Sequence, residues 1–330
     1  MDAPPGRAIL IRDRRADREA LSSDLRQNGR VADFTLRTTD TDLTVTAAGV
    51  DIAQYAFDPG GPASEGPKPY FHPVRALDGA PLTALRPWDH RWHKGLQMTW
   101  TSVSGQNFWG GPTYVQGTGY TPLENVGRMR HDAFADVVDA GPAASFTERL
   151  TWITQAGDEW IAEARTHRFH GLDLDRGLWM LDFDTTLRNV SDRDLELGSP
   201  TTNGRPNAGY TGYVIRMPRA WTGGRVLSED SDDAEALMGA QAPWLAFSGQ
   251  HDEADGGGTV IAYAGRSTGI PPIKWYVRSE PFPIMSPSAS FDEPIMLAPG
   301  AEVALSHRHV FIDRILDTDA TRALAAELAP

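Results

Sequence analysis

The run LWMLDFDTTLRNV, residues 178–190, decides the fold class. Successive side chains of an extended chain point to opposite faces. Trp179, Leu181, Phe183 and Leu187 therefore share one side, while Asp182, Asp184, Thr186 and Arg188 share the other. An apolar face backed by a polar one marks a half-buried antiparallel strand, its acidic positions solvent-facing by default. In EWIAEARTHRFH (159–170) the same test sets Trp160, Ala162 and Ala164 against Glu159, Glu163, Arg165 and His167, which reads as a core face with charges turned outward. In ASFTERLTWIT (144–154) it puts Glu148 on an apolar face with Phe146, Leu150 and Trp152. Turns at 156–158, 173–176 and 191–192 join these runs into an antiparallel meander over 143–198.

The same texture extends both ways, in ADFTLRTT (32–39), LTVTAAG (43–49), VDIAQYAFD (50–58), GLQMTWTSV (95–103) and EVALSHRHVFI (302–312). Strands do not alternate with amphipathic helices, which excludes a parallel α/β sheet. The expected fold is all-β: one large antiparallel β-sandwich over 32–330. A short helix is expected within an N-terminal arm, 1–31, and a second in the C-terminal TDATRALAAELA (318–329), capped at Thr318/Asp319.

Acidic residues number 44 against 31 basic, a net charge of −13 that repels phosphate backbones and anionic bilayers. Nucleic acid and membrane are therefore not expected partners. Cysteine is absent, so thiolate catalysis, disulfides and Cys-ligated metals are excluded. With no apolar run of about 18 residues and no secretory leader in the opening residues, the expected location is cytoplasmic. Dinucleotide, Walker, HExxH and GxSxG motifs are missing as well.

Chemistry concentrates in PWDHRWHKG (87–95). His90 and His93, three apart, can share one side of a turn, and Asp89 can orient either ring. Imidazole suits proton transfer near neutrality, and the same pair could hold a divalent metal if a third ligand joins it. His72 in PYFHPV and His131 in VGRMRHDAF are further candidates. Glu148, if desolvated, becomes a general acid or the buried partner of an arginine. His307 and His309 alternate with Leu305 and Phe311 and read as hydrogen-bonded structural residues.

Two loops suit a polyhydroxylated ligand. NFWGGPTYVQGTGY (107–120) brings Asn107, Phe108, Trp109, Tyr114 and Tyr120 among glycines that let backbone approach a ligand, and SPTTNGRPNAGYTGY (199–213) brings Asn203, Arg205, Asn207 and Tyr210. Aromatic faces accept the C–H surface of a sugar while amide and guanidinium groups bond its hydroxyls.

Taken in order, KPYFHPVRALDGAPLT, PWDHRWHKGL, NFWGGPTYV, SPTTNGRPNAGYTGY and APWLAFSG resemble a bacterial family labelled PmoA-like, over roughly residues 32–313. That label comes from a membrane subunit of methane monooxygenase, which a chain without a membrane-spanning run does not match. The resemblance implies a supersandwich of the galactose mutarotase-like kind and a place in carbohydrate catabolism. It carries His72, Asp89, His90, His93, Asn107, Trp109, Tyr114, Asn203, Arg205 and Tyr210 into one candidate pocket. The functional expectation is an enzyme acting on a sugar or glycoside by His and carboxylate acid–base chemistry: hydrolysis, elimination or epimerisation. The alternatives are a metal-dependent enzyme on a keto-sugar, with His90 and His93 as ligands, and a non-catalytic sugar-binding protein.

Overall fold

Hydrogen bonding collects the strands into two large antiparallel sheets. The computed structural model describes residues 33–252, 254–267 and 269–330. The arm 1–31 and its expected helix lie outside these residues. An eight-stranded sheet runs Arg225–Leu227, Trp244–Gln250, Gly257–Ser267, Glu302–Ile312, Leu178–Asn189, Glu159–Asp173, Ala144–Ile153, Arg128–Val138. A nine-stranded sheet runs Ala140–Gly141, Phe34–Thr38, Asp42–Ala47, Val50–Ala56, Tyr70–Val74, Leu96–Thr99, Gly212–Arg216, Ile284–Ser288, Lys274–Arg278. One apolar cluster joins their facing sides, with Trp179, Leu181, Phe183 and Leu187 from the deciding strand all fully buried. The chain is thus an all-β antiparallel sandwich. Among the described residues no helix is long and apolar enough to cross a membrane.

The meander is real from Ala144 to Asn189 but stops there. Leu195–Gly198 leaves the sheet to pair with Ile295–Leu297 and Ser102–Val103, and Glu302–Ile312 takes the place beside Leu178–Asn189. The C-terminal helix, Thr318–Glu327, covers the outer face of the eight-stranded sheet, where Tyr263 donates to the Ala325 carbonyl at 2.8 Å. Its cap is Asp317, which accepts from Ala320 N, and not Thr318 or Asp319. Asp182 on that face is not free in solvent: Arg308 donates to it at 2.6 and 3.1 Å, and His170 lies 2.9 Å away.

The phase expected for 159–170 is corrected by the structure. Ile161, Glu163, Arg165, His167 and Phe169 point inward, while Ala164 is exposed. The charges tolerate this because they satisfy one another. Arg165 donates to both Glu163 oxygens at 2.8 and 2.6 Å, and Glu163 also accepts from Trp152 Nε1 and Thr185 Oγ1, each at 2.7 Å. Glu148 joins the same interior, accepting from the Tyr55 hydroxyl and lying 2.7 Å from His131 Nδ1. Burial raises the Glu148 carboxyl above its ordinary range, opposed by these partners and by Arg165.

His307 and His309 are structural: ring packing holds both, and the expected hydrogen bonds are missing at His309. His307 lies within 3° of the Phe183 plane and 7° of the Tyr213 plane, and the His309 nitrogens find no partner among the described residues. Burial lowers the His307 pKa to about 4. Below pH 6.5 the unfolded chain takes up a proton that the folded ring refuses, so stability is intact above pH 6.5 and falls as pH drops toward 4. From this residue the loss is roughly 3 kcal/mol. Denaturant melts of His307→Leu across that range should therefore show a shallower acid slope than the native chain; an unchanged slope would contradict the assignment.

Candidate functional site

Side-chain parity sends Val214, Arg216, Tyr276 and Ile284 to the outer face of the nine-stranded sheet, away from the main core. There Val214, Tyr276, Ile284, Phe282, Trp109 and Phe291 form a second apolar cluster. Over it opens a hollow of about 390 Å³. Three loops and a hairpin wall it, and their positions follow from the sequence.

The first wall is the turn 87–94. His90 N bonds to the Pro87 carbonyl, His93 N to His90 and Arg86 N to His93, each at 2.9 Å, so the chain coils and the i, i+3 imidazoles fall on one side. Their ring centroids are 4.8 Å apart, and both rings line the hollow. His90 is partly exposed and His93 is buried. Burial lowers the His90 pKa, opposed by Asp89 and reinforced by Arg216 and Arg219. Burial lowers that of His93 much further, with help from His90, Arg216 and Lys68. Both rings are therefore neutral at pH 7. Asp89 stands 3.4 Å from His90 Nδ1 while accepting from Arg219 at 2.7 Å, which puts it behind the ring and outside the hollow.

The loop from Asn107 supplies the second wall. Trp109 is buried, its ring 5.9 Å from His93 and 4.9 Å from Tyr210. Asn107 lines the hollow but is already engaged, since its amide donates to Gly111 O and Thr113 Oγ1 at 3.1 Å and its oxygen accepts from Gly110 N at 2.9 Å. Two of its glycines are required by packing: a Cβ on Gly111 would lie 2.5 Å from the Trp92 indole, and one on Gly110 2.3 Å from the Glu65 carbonyl oxygen. Phe108 turns the other way, into the core against Trp152.

Beyond it a two-stranded hairpin, Thr113–Val115 and Gly119–Thr121, overhangs the opening with Tyr114 and Tyr120. The Tyr120 hydroxyl lies 2.6 Å from that of Tyr210 and accepts from Arg205, so the hairpin is tied to the loop that carries Asn203, Arg205 and Tyr210. Of the candidates read from the sequence, His90, His93, Asn107, Trp109, Tyr114, Asn203, Arg205 and Tyr210 line this one hollow.

Asp89, His72, Glu148 and His131 do not. His72 faces Thr83, with Nδ1 3.0 Å from its hydroxyl, and burial lowers its pKa to about 4. Glu148 and His131 meet each other in the sandwich interior. Sequence reading missed Trp92, Tyr276, Arg278 and Phe282, of which the last three belong to KWYVRSEPFPIM (274–285). An aromatic and Arg mixture beside two prolines was the available signal there. Among the described residues no three His, Asp or Glu stand together to hold a metal, and the cationic surroundings of His93 do not fit that role.

A family model described as a family of unknown function (DUF6807) matches residues 42–326. The chain belongs to the DUF6807 family. That match does not carry the PmoA-like label. No curated protein matches this DUF6807 chain in sequence. Among solved structures it is similar to two GH36 α-galactosidases of Geobacillus stearothermophilus. AgaA shows 11% identity, TM-score 0.38 and coverage of 86% of this chain and 41% of that one; for AgaB the values are 9%, 0.40, 85% and 41%. The DUF6807 chain thus spans about two fifths of their length. It is also similar to a Klebsiella pneumoniae protein assigned as an aldose 1-epimerase, at 11% identity and TM-score 0.39, covering 88% of this chain and 84% of that one. With TM-scores below 0.5, none of these likenesses bears on the reaction.

The histidine turn is held from below by Glu65. Its carboxylate accepts from Arg86 at 2.7 to 3.2 Å and from Lys94, the residues at the two ends of the turn. Burial would raise its pKa, but Arg86 and then Lys94 overcome that and hold it at about 2. Glu65→Gln should leave the buried Lys94 without its counter-charge, cost about 2 to 4 kcal/mol in denaturant melts, and broaden the NMR signals of the His90 and His93 rings. Sharp, unshifted imidazole signals in that variant would show that the turn does not depend on the clamp.

Proposed function

We propose that the hollow binds a carbohydrate-type small molecule and that His90 and His93 move a proton on it. The observation that carries this reading is the pair of neutral imidazoles, 4.8 Å apart, at the wall of a cavity lined by Trp109, Tyr114, Tyr120, Tyr210 and Tyr276. Flat aromatic rings suit the C–H faces of a sugar, and Asn203 with the tyrosine hydroxyls suits its oxygens. His90, the more exposed ring, is the proton carrier, and His93 is the buried neutral neighbour that bonds the reacting oxygen. Asp89 restrains His90 from behind.

No Asp or Glu lines the hollow among the described residues. Glycoside hydrolysis by the usual pair of facing carboxylates has no groups to use here. The arrangement therefore favours epimerisation or elimination, in which one imidazole removes a proton from carbon or a hydroxyl and returns it elsewhere. Glu148 and His72, weighed as second proton carriers, take no part, since neither reaches the cavity.

The test is a ligand screen by saturation-transfer NMR over monosaccharides, glycosides and their keto derivatives, with product analysis of each hit. His90→Ala and His93→Ala should each lower turnover about 10²-fold or more while ligand binding persists. Because the His90 pKa is depressed, the active base form is lost only as pH falls below 6.5, so the rate should rise with pH on a limb centred below 6.5 and then level off. Turnover unaffected by either substitution would remove the histidines from the chemistry, and hits that bind without ever reacting would reduce the protein to a sugar-binding module.

A further inference from the structure

At and beneath the cavity wall stand two arginines that the histidine chemistry does not use. Register places Arg216 opposite Ile284 and Ile284 opposite Arg278, so the three stand side by side on adjacent strands of the nine-stranded sheet. At the usual strand spacing the two arginine backbones are about 10 Å apart. Parity turns all three side chains to the hollow's face, where Ile284 and Arg278 line the cavity.

Arg216 is the unusual member. It is 1% exposed, yet its Nε and both Nη atoms have no hydrogen-bond partner among the described residues. Its guanidinium lies 3.9 Å from the ring centre of Phe282, itself a lining residue packed on His90 at 4.7 Å. The nearby carboxylate, Asp89, is spoken for by Arg219. The sandwich interior shows what this chain does with a buried arginine it uses structurally: Arg165 receives both oxygens of Glu163. A buried guanidinium left unpaired opposes folding and is retained where something else completes it.

The charged lining of the cavity has one sign. Arg205 and Arg278 line the cavity, and Lys68 lies buried behind Trp109, donating to its carbonyl at 2.9 Å. No lining residue is acidic among those described, in a chain of net charge −13. A cavity with cationic and no acidic lining attracts anions.

We propose that the ligand of the hollow carries an oxyanion, a carboxylate or a phosphate, bound at the row Arg216, Ile284 and Arg278 with Phe282 beside it. The anionic part rests on this row alone; that the rest of the ligand is a sugar rests on the reading given under Proposed function. Guanidinium groups offer parallel N–H pairs that match either oxyanion.

The experiment is calorimetric titration of the full chain with hexuronates, aldonates and hexose phosphates, each beside its neutral parent sugar, and with benzoate as a carboxylate lacking hydroxyls. Charged sugars should bind at least about tenfold more tightly than their parents, as expected for charge-assisted bonds. Arg216→Met should erase that preference and also raise Tm, because an unpaired buried charge is removed. A purely structural arginine would lower Tm instead. Arg278→Gln, at a partly exposed position, should weaken anion binding without a folding defect. Equal affinity for charged and neutral sugars, or no binding of any anion, would overturn the proposal, and the first of these leaves the sugar reading standing. Binding of benzoate together with rejection of every sugar would uphold the oxyanion site and remove the sugar.

Discussion

One carboxylate organises the candidate site. Glu65 sits on a short 3-10 turn, Ala63–Glu65, and receives Arg86 and Lys94 from the two ends of the histidine turn. The same turn braces the neighbouring loop through backbone: Gly111 N donates to Ser64 O at 2.8 Å, and Gly110 packs on Glu65 without room for a side chain. Lys68 completes the block by donating to the carbonyls of Glu65, Gly66 and Trp109. An ammonium and a carboxylate in this setting are tolerated because each meets several partners. The result is that His90, His93 and Trp109 are referred to one rigid point, though they belong to separate loops.

The interior between the sheets makes a second, independent use of buried charge. Glu163, Arg165, Glu148, Tyr55 and His131 form a polar seam within an otherwise aromatic core. It stays away from the hollow, and its members are saturated with internal partners. The contrast with Arg216 separates groups that hold the sandwich from a group that is left open.

Much of the fold was legible because a half-buried strand writes its two faces into alternate positions. Trp179, Leu181, Phe183 and Leu187 were read correctly for that reason. The strand Glu159–Asp173 defeated the same rule, since its buried face carries Glu163, Arg165 and His167; Glu163 and Arg165 pair within the strand, but Trp152 and Thr185, which complete Glu163, lie on neighbouring strands and cannot be seen locally. At the site, residue type led to the histidine turn and both aromatic loops. It misled for His72 and Glu148, because type does not tell which end or side of a sheet a residue occupies. Arg216 was invisible: nothing in its local sequence marks it, and only cross-strand register brings it beneath the cavity, against Phe282.

The hairpin bearing Tyr114 and Tyr120 pairs only with itself and belongs to neither large sheet. It is anchored at its root by Asn107 and Asn125 through Thr113, and midway along by Tyr120 to Tyr210 and Arg205. Its length and sequence can therefore change without touching the ladders that bear the load of folding. Such a flap is an interchangeable part: the scaffold can stay constant while the aperture is recut for guests of different bulk.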